Sequence, residues 1–110
     1  MSDEQIEKTK SAVDAADHIP ADKKAALSAA LSKLKPALAQ ISQTHHEDAE
    51  SIARLVEASA HEATRRKKRP KLLNTLLHAL KQSVDEFGAS HPDLVAIITE
   101  YSTLLSAMGI

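Results

Sequence analysis

A short basic run in the middle of the sequence has the clearest potential for chemistry. Six of the 14 lysine and arginine side chains fall within the seven positions from Arg65 to Lys71. Cations clustered in this way can neutralise several phosphates of a nucleic acid and release the ions condensed around them. The candidate phosphate contacts are Arg65, Arg66, Lys67, Lys68, Arg69 and Lys71.

The same run also has a simpler structural interpretation. Cations at the C-terminal end of a helix are favoured by the helix dipole, and Pro70 would stop that helix just beyond them. The aromatic side chains that stack on single-stranded bases are missing from the neighbourhood of the run. We therefore favour a solvated helix end and keep nucleic-acid binding as the alternative.

Two adjacent histidines, His45 and His46, form a second candidate site. In a helix, His46 would lie one turn from Glu50, and His45 one turn from Asp48. Imidazole and carboxylate groups suit a divalent transition metal, but two ligands on one helix complete only half a site. A polar interruption of an apolar stripe explains the same residues. The sequence thus predicts no metal site, no cofactor and no catalytic residue, with a metal-responsive protein as the weakest alternative.

The composition of the chain excludes several functional classes. Its 110 residues include no Cys and only two Gly, which leaves neither a thiolate metal site nor a glycine-rich phosphate loop. The formal net charge is -1, and no apolar run approaches the roughly 18 residues of a membrane span. We expect a single cytoplasmic domain over 1–110 that is not an enzyme and is not attached to a membrane.

Helix-forming residues dominate the chain, whereas the residues typical of strands are scarce. The prediction is an all-α helical bundle with coiled-coil-like packing, made of an N-terminal helix over 1–19, a helical segment over 20–66 and a C-terminal helical hairpin over 71–110. The pattern leaves open whether Pro36 kinks one long helix or separates two. Gly88 is expected to end the first hairpin helix as a left-handed cap. The apolar stripe of that helix is Leu72, Leu73, Leu76, Leu77, Leu80, Val84 and Phe87.

Apolar residues in the central segment recur at alternating spacings of four and three, the period of a coiled-coil seam. This seam consists of Leu27, Leu31, Leu34, Leu38, Ile41, Ile52 and Leu55. A single helix from Pro36 to Arg66 would be about 46 Å long, well beyond hairpin helices of about 25 Å each. Its seam would then lack partners within the chain. The pattern therefore predicts a homo-oligomer, most simply a dimer, assembled through a long central helix.

The C-terminal hairpin carries a distinctive closing sequence. Phe87 is followed by Ser90-His91-Pro92, and the chain closes on Met108-Gly109-Ile110. This ending resembles a family of small bacterial helical proteins that is catalogued only as a domain of unknown function. The resemblance implies a helical fold in a bacterium, and it implies no activity, cofactor or catalytic residue.

Charge is distributed unevenly despite the near-neutral total. Residues 1–22 hold six acidic side chains against two lysines, whereas six cations lie within 65–71. These two regions are expected to meet either within one chain or between copies. Taken together, the patterns predict a non-enzymatic structural or protein-interaction module that self-associates.

Overall fold

Residues 2–108 are described by a computed structural model and fold into a bundle of α-helices. The helices are α1 (Ser2–Ala15), α2 (Ala21–Ser42), α3 (His46–Ala63), α4 (Pro70–Asp85) and α5 (Pro92–Met108). Strands are absent from this part of the chain, so the predicted all-α class is confirmed. Gly109 and Ile110, the last two residues of the closing sequence, lie outside the described residues. None of the helices between residues 2 and 108 is both long enough and apolar enough to cross a membrane.

The central element of the bundle is α3, which contacts each of the other four helices. Around it, α1 packs on α2, α2 on α5, and α5 on α4. Buried small side chains on α3, including Ala49, Ala53 and Ala60, let its neighbours approach closely from several directions. The result is a core shared by all five helices rather than a two-helix seam.

Pro36 lies inside α2, and the helix continues through it. The buried residues of α2 at 27, 31, 34, 38 and 41 stay on one face across the proline. Pro36 itself is exposed, and so is Ser32, whose carbonyl would have accepted the amide hydrogen that proline lacks. Because water can reach that carbonyl, the lost hydrogen bond does not end the helix.

The structure differs from the predicted long central helix, because the segment 20–66 is divided at 43–45. His45 leaves the helical conformation with φ -134° and ψ 59°, and α3 begins at the next residue. Glu47 and Asp48 occupy the first turn of α3, where the positive end of its dipole stabilises acidic side chains. The molecule is only 38 Å in its longest dimension, less than the roughly 46 Å of an unbroken helix.

The C-terminal helices α4 and α5 pack against each other as the predicted hairpin. The left-handed cap predicted at Gly88 is wrong, because no glycine in the described residues has a positive φ. Gly88 instead lies in the connection 86–91, and its amide donates to the carbonyl of Asp85 at 3.0 Å. A Cβ at this position would lie 3.2 Å from that oxygen, so close approach explains the glycine.

A polar cluster joins α3 to α5 inside the core. The hydroxyl of the buried Tyr101 donates to the carbonyl of Val56 at 2.7 Å and lies 3.0 Å from the hydroxyl of Ser59. Ser59 also donates to the Val56 carbonyl, at 2.9 Å. Burial raises the pKa of Tyr101, because the apolar surroundings disfavour the phenolate.

Candidate functional site

The basic run forms the connection between α3 and α4. Since α3 ends at Ala63 and α4 begins at Pro70, five of the six candidate cations lie outside any helix, and Lys71 lies in the first turn of α4. Pro70 suits the first position of α4, because an amide hydrogen there would have no partner within the helix. The loop 64–69 lies at the same end of the bundle as the α1–α2 connection and the end of α5.

Glu62, a buried acid on the last turn of α3, organises one half of this loop. Arg69 donates to both of its carboxylate oxygens at 3.2 and 3.0 Å, and Arg65 donates to one of them at 3.1 Å. The side chain of Glu62 is only 8% exposed. The hydrogen bond from Arg69, reinforced by Arg65, holds the pKa of Glu62 below its ordinary value.

The other half of the loop is attached to the α1–α2 connection and to α5. Arg66 contacts the carboxylate of Asp17 at 2.5 Å, and this cation lowers the pKa of Asp17. The ring of His18 lies 2.6 Å from the carbonyl of Thr64, so its Nε2 donates that hydrogen bond. Lys68 donates to the carbonyl of Met108 near the end of α5. The acidic N-terminal region and the basic run therefore meet within one chain.

The side chains of two cations of the run, Lys67 and Lys71, form neither an ion pair nor a hydrogen bond with any residue between 2 and 108. Both are exposed. The other four bind carboxylates or a helix-end carbonyl of their own chain. The run therefore fastens helix ends together. The expected solvated helix end is wrong, because α3 ends at Ala63, before the run, and Pro70 begins α4 instead of stopping α3.

Replacing Glu62 by Gln should lower the free energy of unfolding at neutral pH. In the acidic range, the free energy of unfolding of the variant should also depend less on pH. Because the folded pKa of Glu62 lies below the ordinary 4.5, the ionised carboxylate stabilises the fold, and this contribution is fully present above about pH 4.5. It is lost as the pH falls further, through the folded pKa. Urea unfolding of both proteins over a pH series measures the difference.

The matched control is Glu57→Gln, because Glu57 on the same helix is 39% exposed and lies 4.0 Å from Lys8. This surface change should alter stability far less than Glu62→Gln, since exposed ion pairs contribute little. Two outcomes would contradict the structural importance of Glu62. One is an equal loss of unfolding free energy in both variants, and the other is a pH dependence of stability in Glu62→Gln that equals that of the wild type.

The adjacent histidines His45 and His46 contact different side chains. His46 lies with Nδ1 3.2 Å from the hydroxyl of Ser42 and Nε2 3.1 Å from Glu50, which confirms the expected proximity of His46 and Glu50. His45 instead packs its ring edge-on against Phe87, with centroids 5.3 Å apart. Among the residues from 2 to 108, no group of three or more His, Asp or Glu side chains is placed to hold a metal ion.

The seam residues predicted to mediate self-association lie inside the bundle. Six of them are completely buried within one chain, namely Leu27, Leu31, Leu34, Leu38, Ile41 and Ile52. Leu55 is half-buried on the side of α3. A second copy would have no access to the buried six, because the chain's own helices cover them. Self-association stays a prediction, and it requires another surface.

An outer groove between α3 and α4 offers such a surface. Leu72 on α4 is 37% exposed, the most exposed large apolar side chain in the described part of the chain. Leu76, one turn along α4, is half-buried, and so is Leu55 on α3. Helical spacing places Leu55 one turn from Ser51 and Leu76 one turn from Ala79, and these two residues line a cavity between α3 and α4. At one end the groove is closed by the contact between Glu62 and Arg69. We call this surface the α3–α4 groove.

The opposite end of the α3–α4 groove opens into a cavity of about 360 Å³. Its lining mixes polar and apolar surface and comes from both helices and the start of the next connection: Asp48, Ser51, Ala79, Gln82, Ser83 and Glu86. The groove thus combines an apolar centre with charged or polar ends. Protein interfaces typically have this arrangement, an apolar core with a polar rim.

Two important residues of this region were not identified by the sequence patterns. Glu62 precedes Arg65 by three positions, a spacing that would have indicated this contact. Arg69 lies beyond the end of α3, and no local spacing indicates its contact with Glu62. Leu72 was grouped with the core stripe, but adjacent helical residues point about 100° apart. On α4 the pairs Leu72-Leu73 and Leu76-Leu77 are unequally buried. In each pair, the second leucine is the buried one.

The fold and these surfaces define the chain as a small all-α helical bundle. Residues 27–110 match the family described as Domain of unknown function (DUF4404), and the chain belongs to that family. The match begins within α2, includes α3 to α5 and leaves α1 outside. Neither a curated protein nor a solved structure matches the chain.

Proposed function

We propose that this chain is a non-enzymatic helical module that functions by binding protein, including a second copy of itself. The observation that carries the proposal is the exposed Leu72, which lies one turn from the half-buried Leu76 on α4, with the half-buried Leu55 on the adjoining α3. Removing such apolar surface from water contributes roughly 25 cal/mol per Å², so a partner that covers it is favoured. Of the predicted seam, only Leu55 contributes to this surface, because the other six residues are completely buried.

Nucleic-acid binding has weaker support. Four of the six cations in the basic run are engaged by the protein, which leaves Lys67 and Lys71 for phosphates. Two phosphate contacts would give only a shallow dependence of binding on salt. Protein binding through an apolar centre with polar ends agrees better with the distribution of side chains.

We expect the purified chain to form a reversible, concentration-dependent dimer. The groove is about 21 Å long, from Asp48 to Glu62 on α3, and about two helix diameters wide. That area falls short of the roughly 800 Å² per partner of a standard interface. The dissociation constant should therefore be on the order of 10–1000 µM. Sedimentation velocity over two decades of protein concentration measures it, and a purely monomeric chain throughout would contradict the proposal.

Leu72→Asp provides the test of the surface, with Ala96→Asp as its matched control. Ala96 is exposed on α5, away from the α3–α4 groove, so the same negative charge there should leave the dimer intact. Leu72→Asp should remove the dimer and keep the helical content, because Leu72 is 37% exposed. Equal dimerisation of both variants would place the interface elsewhere.

A further inference from the structure

The two ends of the α3–α4 groove carry opposite charge. Asp48 and Glu86 border the cavity at one end, without a basic side chain among the residues that line it. The nearest cation along α3, Arg54, pairs with Glu50 at 3.6 Å. This end of the groove is therefore acidic.

The other end of the groove is basic. Arg65 and Arg69 share a single carboxylate, that of Glu62, and Lys71 follows on the first turn of α4. Three cations against one acid leave a positive excess. Lys71 is exposed, forms no ion pair within residues 2–108 and directly precedes Leu72, so its charge faces solvent at this end of α4.

The apolar side chains lie between these two ends. Along α3, Leu55 falls midway between Asp48 and Glu62, seven positions from each. On α4, Leu72 and Leu76 lie between Arg69 and the cavity residue Ala79. Along its length of about 21 Å, the groove is acidic at one end, apolar at its centre and basic at the other end.

This order makes the groove complementary to itself. A twofold axis through the apolar centre exchanges its ends, so the acidic end of one copy meets the basic end of the other. We infer that a second copy of this chain packs antiparallel across the α3–α4 groove, with Leu72, Leu76 and Leu55 at the centre and opposite charges paired at both ends. The inference rests on the proposed self-association and names its surface and orientation.

The charge pattern favours a second copy over a partner of one charge. An acidic partner would be attracted by Lys71 but repelled by Glu86, and a basic partner would experience the reverse. The antiparallel copy pairs both ends at once. A copy packed parallel would bring like charges together at each end, which is unfavourable.

Charge reversal tests the orientation directly. Lys71→Glu and Glu86→Lys should each weaken dimerisation by roughly 5- to 30-fold, because each places like charges together at both symmetric ends. The double variant Lys71→Glu/Glu86→Lys exchanges the two charges and should recover the wild-type dissociation constant within about threefold. An equimolar mixture of the single variants should form a mixed dimer tighter than either variant alone.

Sedimentation velocity at low and moderate salt measures these effects, with circular dichroism melts to verify that each variant folds. The matched control is Lys23→Glu, the same change at an exposed position of α2, which should leave dimerisation unchanged. A wild-type chain that never dimerises overturns the proposed function. A wild-type dimer that is insensitive to both reversals, or a double variant no better than the singles, overturns the antiparallel arrangement and leaves the proposed function standing.

Discussion

Replacing Ile52 by Asp should unfold the chain, and replacing Leu94 by Asp should do the same. Both side chains are completely buried, Ile52 on α3 and Leu94 on α5. Each change would place an unpaired carboxylate in the core, at a cost of more than about 5 kcal/mol. The total stability of a domain is only roughly 5–15 kcal/mol. Far-ultraviolet circular dichroism at neutral pH should show loss of most helical signal.

This prediction separates the observed bundle from a coiled-coil dimer. If Ile52 were on an intermolecular seam, Ile52→Asp would dissociate an assembly and leave a folded monomer, unlike Leu94→Asp. Leu72→Asp is the control for the substitution itself, and it should change stability by less than about 1 kcal/mol because Leu72 is partly exposed. A folded, monomeric Ile52→Asp protein would show that the interior placement of Ile52 is incorrect.

Tyr101 should remain protonated in the folded protein when an ordinary tyrosine would ionise. Burial raises its pKa above the usual 10.0, so the folded chain holds this proton more tightly than the unfolded chain. Stability should therefore fall as the pH rises above about 10. The sequence has one Tyr and no Trp, so tyrosinate absorbance reports this residue alone. In an alkaline titration, tyrosinate absorbance and loss of helicity should appear together.

Two substitutions separate the contributions that the ring and the hydroxyl of Tyr101 make to the stability of the fold. Tyr101→Ala leaves a cavity between α3 and α5 and should cost about 3–5 kcal/mol in urea unfolding. Tyr101→Phe keeps the ring and leaves Ser59 to donate to Val56, so its cost should be only about 1 kcal/mol. Ionisation of Tyr101 near pH 10 in a fully helical protein would contradict its burial.

Helical periodicity predicted the class of fold but not the path of the chain. The spacing from Ile41 to Ile52 is eleven residues, close to three full helical turns, so the apolar stripe keeps its phase across a break. Periodicity alone therefore does not distinguish one long helix from two consecutive ones. The local signal for the break was the polar run Ser42-Gln43-Thr44 followed by acidic Glu47 and Asp48, which suit the first turn of a new helix.

The composition of the basic run was evident from the sequence, but its partners were not. Arg66 reaches Asp17 and Lys68 reaches Met108, contacts between residues more than 35 positions apart. Such pairs depend on how the helices pack, which no local pattern specifies. The contact between Glu62 and Arg65 could have been predicted from the sequence, since a spacing of three places two residues on one side of a helix. The charged rims of the α3–α4 groove likewise become visible only when α3 and α4 lie side by side.

The N-terminal helix α1 has a distinctive relation to the rest of the bundle. It lies wholly outside the family match, and it docks on α2 and α3 through few large apolar side chains, Ile6 and Val13 among them. Glu7 adds an ion pair to Lys35 of α2 at 2.8 Å. The short connection 16–20 keeps α1 at a local concentration on the order of millimolar around its docking surface. The helix thus acts as a tethered ligand of its own chain, and its docking does not have to overcome the translational and rotational entropy that a separate peptide would lose on binding.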